Sequence, residues 1–92
     1  MITFAQLVEL LREAVARPTL LPTLVPKFQD SVWQSEVSFP SQMAEDAVRS
    51  LAYDLEYYVS DPKRRAEDSS YFGETRAVAE IRSALRTMEM HN

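Results

Sequence analysis

The sequence predicts an all-α fold, and more narrowly a single-domain antiparallel four-helix bundle over residues 1–92. Ninety-two residues are enough for one modest hydrophobic core and too few for a second lobe. The chain has one glycine and no Asn-Gly or Asp-Gly pair, which tight hairpins favour. Apolar residues instead recur at helical spacing in four segments with short links, so antiparallel packing is the default arrangement.

The first helix is predicted to begin at Thr3 and to end before Arg17 meets Pro18. Thr3 and Gln6 have the spacing of a capping box, in which each side chain accepts a hydrogen bond from the other residue's backbone N–H. An apolar stripe follows at helical spacing, made of Phe4, Leu7, Leu11, Ala14 and Val15 and widened by Val8 and Leu10.

The second helix is expected to be short, with Thr23 as its cap and Pro26 in its first turn. Proline is harmless in a first turn, because the N–H groups there have no partner within the helix. The buried face is predicted to consist of Leu24, Val25, Phe28 and Val32, with Trp33 as a further candidate.

The third helix is predicted to be capped by Ser38 or Ser41 and to continue to about Ser60, because Pro62 lies just beyond that point. At about 100° per residue, one side carries polar and aromatic residues, among them Asp46, Ser50, Tyr53 and Tyr57. The opposite side is the predicted core face, formed by Ala44, Ala47, Val48, Leu51, Leu55 and Tyr58.

The fourth helix is predicted to start between Gly73 and Thr75 and to reach nearly to the C-terminus. Arg82 and Arg86 are expected on its solvent side. Its apolar stripe is predicted to be Ala77, Val78, Ile81, Leu85 and Met88.

Composition excludes several classes of protein. The chain is 46% hydrophobic and 26% charged, which is typical of a folded globular domain. Without cysteine it can form neither a disulfide nor a thiolate metal site. Charged residues at Glu9, Arg12 and Glu13 interrupt the apolar N-terminal segment, so we expect no membrane segment and a cytoplasmic protein.

The net charge of −4 is concentrated in the middle of the chain. Residues 36–75 carry nine acidic and four basic side chains, whereas residues 1–35 carry three of each. Affinity for nucleic acid requires clustered Lys and Arg, so we expect no direct nucleic-acid ligand. The pattern is compatible with a solvated acidic face, and equally with steering of a basic protein partner.

No catalytic, cofactor-binding or metal-binding set can be assembled from the sequence. The only histidine, His91, lies one residue from the C-terminus, where chain ends fray. The pairs Glu45-Asp46 and Glu67-Asp68 lack the spacing and the glycine turn of a calcium loop. The basic run at 63–65 is flanked by acidic residues and precedes no glycine-rich phosphate loop. We therefore expect a binding protein and not an enzyme.

The remaining candidate is an acidic and aromatic surface near the end of the third helix. Tyr53 and Tyr57 lie one turn apart, opposite the core. Aromatic rings on that side are expected to be covered by another part of the chain or by a partner. Either the connection 61–73 folds back so that Tyr71 and Phe72 pack on them, or the tyrosines bind a partner together with nearby carboxylates, and both can hold. The candidate partner-binding residues are Asp46, Tyr53, Asp54, Glu56, Tyr57, Asp61, Glu67, Asp68 and Tyr71.

A spaced pattern, Y-x-x-D-P-x-x-R, is formed by Tyr58, Asp61, Pro62 and Arg65. It precedes a short acidic-aromatic segment and the last helix. This order resembles the bacterial colicin-type immunity proteins, most closely the colicin D immunity family and the related immunity proteins of contact-dependent growth inhibition. The resemblance covers about the second half of the chain. It implies a four-helix protein that binds the toxic domain of a cognate toxin, in the colicin D type a tRNA-cleaving nuclease, and blocks its basic active site with an acidic surface.

The resemblance also implies roles for the candidate residues. The six carboxylates would steer and pair with the basic nuclease, and the three tyrosines would anchor it. Arg64 and Arg65 are expected to hold the connection by pairing with Glu67, Asp68 or Glu74. The free protein is expected to be a monomer or a weak dimer without a cofactor. The alternative is a small acidic helical adaptor or homodimeric interaction module that has no toxin partner.

Overall fold

Four long helices make up the fold in the computed structural model, which describes residues 2–34 and 36–90. The described residues contain no β-strand, only an isolated bridge between Tyr58 and Phe72. A helix of a single turn, α4, lies in the connection that follows α3. The helices in chain order are α1 (Phe4–Ala16), α2 (Leu21–Gln34), α3 (Gln42–Asp54), α4 (Pro62–Arg65) and α5 (Glu74–Met90).

The long helices form a ring in which each packs against two neighbours. α1 lies between α2 and α5, and α3 lies between the same two helices. α2 and α3 run antiparallel: late in α2, Trp33 lies near Arg49 of α3, and one turn earlier Gln29 donates a hydrogen bond of 3.2 Å to the Ala52 carbonyl. The predicted four-helix bundle is therefore confirmed. None of the described helices has the length and apolar content needed to cross a bilayer.

The core is apolar and draws on every long helix. Leu7, Phe28, Val48 and Ile81 are fully buried, and the described residues include no buried charged or polar residue. Burying a side chain of this size stabilises the fold by roughly 1.5–3 kcal/mol. The predicted stripes are confirmed, although four of their members are only half-buried, namely Val15, Ala47, Tyr58 and Val78.

α1 begins and ends where the sequence predicts. The Thr3 N–H donates to Gln6 Oε1 at 2.8 Å, and the Gln6 N–H donates to Thr3 Oγ1 at 3.1 Å, which completes the capping box. At the other end, the Arg17 N–H donates to the Glu13 carbonyl at 2.8 Å, and Pro18 starts a 3₁₀ turn. Both ends depend only on residues within four positions of each other.

α2 begins earlier than predicted, and the expected cap at Thr23 is wrong. The helix starts at Leu21 and runs for 14 residues, so Pro22 lies in the first turn and Pro26 lies inside the helix. Leu21 is fully buried, and its burial extends the stripe by a further turn. That gain offsets the backbone hydrogen bond that Pro26 cannot donate. The suggestion that Trp33 is buried is also wrong, because 48% of its surface is exposed.

α3 is capped by Ser41, whose side chain accepts a hydrogen bond from the Ala44 N–H at 3.1 Å. It ends at Asp54, not near Ser60 as predicted, and continues as a 3₁₀ turn over Leu55–Tyr57. Beyond it the chain is extended, because the Val59 N–H donates to the Phe72 carbonyl and the Phe72 N–H donates to the Tyr57 carbonyl, each at 3.0 Å. This pairing buries Val59 and Phe72, which a longer α3 would not.

Candidate docking surface

Tyr53 and Tyr57 stand at the end of α3, on the side away from the core. Their side chains are 57% and 38% exposed. The neighbouring Tyr53 is the largest cause of a raised Tyr57 pKa, followed by partial burial and by the negative charges of Glu56 and Asp68. Asp68, from the connection after α4, thus contributes negative charge to the surroundings of the Tyr57 hydroxyl. We call Tyr53, Asp54, Tyr57 and Asp68 the tyrosine face.

A depression of about 410 Å³ adjoins the tyrosine face and is lined by Asp54, Tyr57, Ser70, Phe72, Arg76 and Glu80. Arg76 supplies positive charge here, but its Nε lies 3.6 Å from Glu80 Oε1. Its guanidinium also stands 5.0 Å from the centre of the Phe72 ring. Arg76 is therefore engaged within the protein, whereas Asp54 makes no ion pair with the described residues.

Three other predicted site residues, Glu56, Asp61 and Tyr71, lie on a different surface. They line a groove of about 550 Å³ between α2 and the segment that follows α3. We call this the α2 groove. It is also lined by Asp30, Trp33 and Arg64, together with Pro22, Val25, Pro26, Gln29, Leu55, Tyr58, Val59 and Ser60.

Sequence reasoning missed Trp33 as a surface residue. A signal was available, because at about 100° per residue Trp33 lies about 140° from Phe28 around α2, outside the apolar stripe. Arg49 of α3 lies near this ring, with its Cζ atom 6.0 Å from the centroid.

The last two predicted site residues, Asp46 and Glu67, line neither the α2 groove nor the depression beside the tyrosine face. Asp46 is exposed about 10 Å along α3 from Tyr53, and its Oδ1 accepts a hydrogen bond of 2.9 Å from Gln42. Glu67 is exposed just after α4, where its N–H donates to the Arg64 carbonyl at 3.1 Å. The predicted single patch is therefore distributed over the tyrosine face, the α2 groove and two carboxylates that line neither depression.

Tyr71 and Phe72 do not form the joint cover that the sequence suggested for the tyrosine face. Phe72 is buried, and its ring centre lies 6.5 Å from that of Tyr58. Tyr71 is half-buried and lines the α2 groove. The connection does fold back, but its backbone pairs with the segment after α3 and leaves Tyr53 exposed.

The run that carries the resemblance has a local structural role. Asp61 caps α4 by accepting a hydrogen bond of 3.0 Å from the Lys63 N–H, and Pro62 occupies the first turn. Arg65 then lies against Gly73, where a Cβ would overlap Arg65 Nη1. The predicted pairing of Arg64 and Arg65 with acidic neighbours is wrong: among the described residues neither forms an ion pair. The side chain of Arg65 instead turns back toward Gly73.

The described part of the chain holds no group of three or more His, Cys, Asp and Glu side chains arranged for a metal ion. His91 lies outside the described residues. Comparison with known proteins finds no matching family model, no matching curated protein and no matching solved structure.

Proposed function

We propose that this chain is a stoichiometric inhibitor of a bacterial toxin nuclease, an immunity protein of the colicin D or contact-dependent growth inhibition type. Its acidic surface would cover the basic cleft of a tRNA-cleaving domain and exclude the RNA backbone. The observation that carries the proposal is the exposure of Tyr53 and Tyr57 beside Asp54 and Asp68, which form no ion pair with any residue that the structure describes. We expect such an inhibitor in the cytoplasm of the cell that makes the toxin.

The chemistry of the tyrosine face suits a basic protein. Tyrosine is enriched in the energetic centres of interfaces, because its ring buries a large area at a small cost in side-chain entropy. Carboxylates around such rings raise association rates with a positively charged partner and disfavour acidic ones. A nuclease cleft carries cations for phosphate, so Asp54 and Asp68 can meet those cations in place of the RNA backbone.

The first test is the genetic neighbour. We expect a gene for a large secreted toxin immediately upstream, with a basic nuclease domain at the end of its product. That domain, purified, should form a one-to-one complex with this chain and lose its ability to cleave tRNA. A purified neighbour that cleaves tRNA equally well with and without this chain would refute the proposal.

The second test is charge. The double variant Asp54→Asn/Asp68→Asn should bind the nuclease domain about tenfold more weakly or worse in 50 mM salt. The matched control is Glu13→Gln/Glu36→Gln, which removes the same charge from exposed positions outside both surfaces. The difference between the two variants should shrink as salt rises. An affinity that depends neither on ionic strength nor on the Asp54/Asp68 substitutions would count against mimicry of the RNA backbone.

The alternative is a helical adaptor or a homodimer that uses the same exposed rings. A symmetric dimer through the tyrosine face would bring Asp54 and Asp68 of one copy toward those of the other. Like charges in such an interface oppose association. We therefore favour a basic partner over a second copy of this chain.

A further inference from the structure

The α2 groove has the dimensions of a site for a short extended peptide. On α2 its lining runs from Pro22 to Trp33, eleven positions apart. At 1.5 Å per residue this is about 17 Å, the length of about five residues of extended chain. Along that length, two prolines and the rings of Trp33 and Tyr71 supply rigid apolar walls, as in the aromatic-lined grooves that bind extended polyproline II segments.

The charge of the groove selects a basic occupant. Asp30, Glu56 and Asp61 line it, against a single cation, Arg64. Within the described residues none of these four side chains forms an ion pair. Asp61 uses one oxygen to cap α4 and keeps the other available. The groove therefore holds an excess of two negative charges that the protein itself does not compensate.

The backbone beside the groove offers free donors. Val59 donates its N–H to Phe72, but the next two N–H groups, those of Ser60 and Asp61, make no hydrogen bond within the described residues. Both residues line the groove. N–H groups of an extended segment can donate to the carbonyls of a second extended chain laid alongside, and polyproline II chains keep their carbonyls free.

We propose that the α2 groove binds an extended, arginine-bearing peptide segment of a protein partner. Arginine fits better than lysine, because its planar guanidinium both stacks on aromatic rings and forms paired hydrogen bonds with carboxylates. Trp33 already has the Arg49 guanidinium near its ring, at 6.0 Å from Cζ to centroid, and remains half exposed. This inference does not require that the partner be a nuclease, since it concerns a surface that shares only the rim residue Glu56 with the surroundings of the tyrosine face.

The test uses a synthetic peptide of four Arg-Pro repeats with blocked ends. Trp33 is the only tryptophan in the chain, so its fluorescence reports on the groove directly. We expect a saturable change with a Kd below about 1 mM in 50 mM salt. The corresponding Lys-Pro peptide should bind more weakly, and a Glu-Pro peptide should cause no saturable change.

Substitutions locate the site. Asp30→Asn/Asp61→Asn should weaken binding of the Arg-Pro peptide at least tenfold, and asparagine at 61 preserves the cap of α4. The matched control Glu13→Gln/Glu36→Gln removes equal charge elsewhere and should bind like the wild type. Backbone amide NMR shifts on titration should concentrate at Ser60, Asp61 and the exposed side of α2.

Three results would overturn the inference: a response that never saturates, equal weakening in both double variants, or NMR shifts centred on Tyr53 and Tyr57. Failure here is distinguishable from failure of the proposed function. Asp54→Asn/Asp68→Asn should leave binding of the Arg-Pro peptide within about twofold of wild type, whereas it should weaken binding of the nuclease domain.

Discussion

The Tyr58 hydroxyl is a polar group that the fold buries without a partner. Its oxygen is inaccessible to solvent and has no hydrogen-bond partner among the described residues, although the guanidinium of Arg65 is close enough to influence it. Burial is the main cause of a raised Tyr58 pKa; Glu74 raises the pKa further, and Arg65 lowers it. A buried hydroxyl without a hydrogen bond lowers stability, so Tyr58 stabilises the fold through the packing of its ring and not through its oxygen.

Tyr58→Phe is therefore expected to raise the free energy of unfolding by about 1 kcal/mol, because it removes the desolvation cost of the hydroxyl and keeps the ring. Urea denaturation at pH 7 measures this. The control is Tyr53→Phe, whose ring is mostly exposed and whose substitution should change stability by less than about 0.5 kcal/mol. A clear loss of stability in Tyr58→Phe would indicate a hydrogen bond at this oxygen.

The raised Tyr58 pKa also predicts a pH dependence. Because the folded state holds the proton more tightly than the unfolded state, the contribution of Tyr58 is constant below its unfolded pKa of about 10 and is lost as the pH rises above that value. Stability measured between pH 9 and about 11 should fall less steeply in Tyr58→Phe than in the wild type. Parallel curves for the two proteins would contradict the shift.

Gly73 is required by a close contact and not by its backbone angles, since the described glycine does not have a positive φ. Gly73→Ala is expected to cost up to about 1 kcal/mol, because the new Cβ must displace the flexible end of Arg65. In an Arg65→Ala background the same substitution should stabilise by about 0.4–1 kcal/mol, as alanine restricts the unfolded chain. Equal effects in both backgrounds, measured by urea denaturation, would mean that Arg65 does not cause the requirement.

At the scale of elements, α2 carries an internal defect. Pro26 lies inside the helix, where its missing N–H leaves the Pro22 carbonyl without its usual partner four residues on. Pro22 is in the first turn and costs nothing of this kind. Both prolines line the α2 groove, so the defect lies on the surface that we assign to peptide binding.

Pro26→Ala is accordingly expected to raise the free energy of unfolding by about 1–3 kcal/mol, because the helical hydrogen bond is restored. The matched control Pro22→Ala should change stability by less than about 0.5 kcal/mol or slightly lower it. Urea denaturation of the two variants side by side measures the difference. If the two substitutions have equal effects, Pro26 does not strain α2. We also expect weaker binding of the Arg-Pro peptide by Pro26→Ala.

At the scale of the whole molecule, the net negative charge is concentrated in the part of the chain that runs from just before α3, through α4, to the start of α5. The ion pairs among the described residues are largely exposed. Arg12 and Glu89, 2.7 Å apart, join α1 to α5, and the other pairs each lie within a single helix. Exposed pairs of this kind contribute little to stability. Stability therefore comes mainly from the apolar core.

The free protein is expected to be a monomer of 10.6 kDa at tens of micromolar in 150 mM salt, because the carboxylates of two tyrosine faces repel each other. Sedimentation equilibrium measures this. A species of twice the mass that dissociates in Tyr53→Ala/Tyr57→Ala would instead support the homodimer alternative. A dimer unaffected by those substitutions would exclude the tyrosine face as its interface.

The amino-acid sequence by itself determined the helical class, the core stripes and both ends of α1. These features depend on residues within four positions of each other, as in the hydrogen bonds between Thr3 and Gln6. It also determined which side of α3 exposes Tyr53 and Tyr57, since helical phase alone separates that side from the core.

Only the tertiary structure decided where α2 begins and where α3 ends. Leu21 is drawn into the core, which moves the start of α2 ahead of Thr23. Tyr58 pairs with Phe72, fourteen positions away, and this contact ends the helix early and opens the groove in which Asp61 and Tyr71 meet α2. At the end of α3, contacts between distant residues override local helix preference because burying Val59 and Phe72 stabilises the fold by more than one further helical turn would.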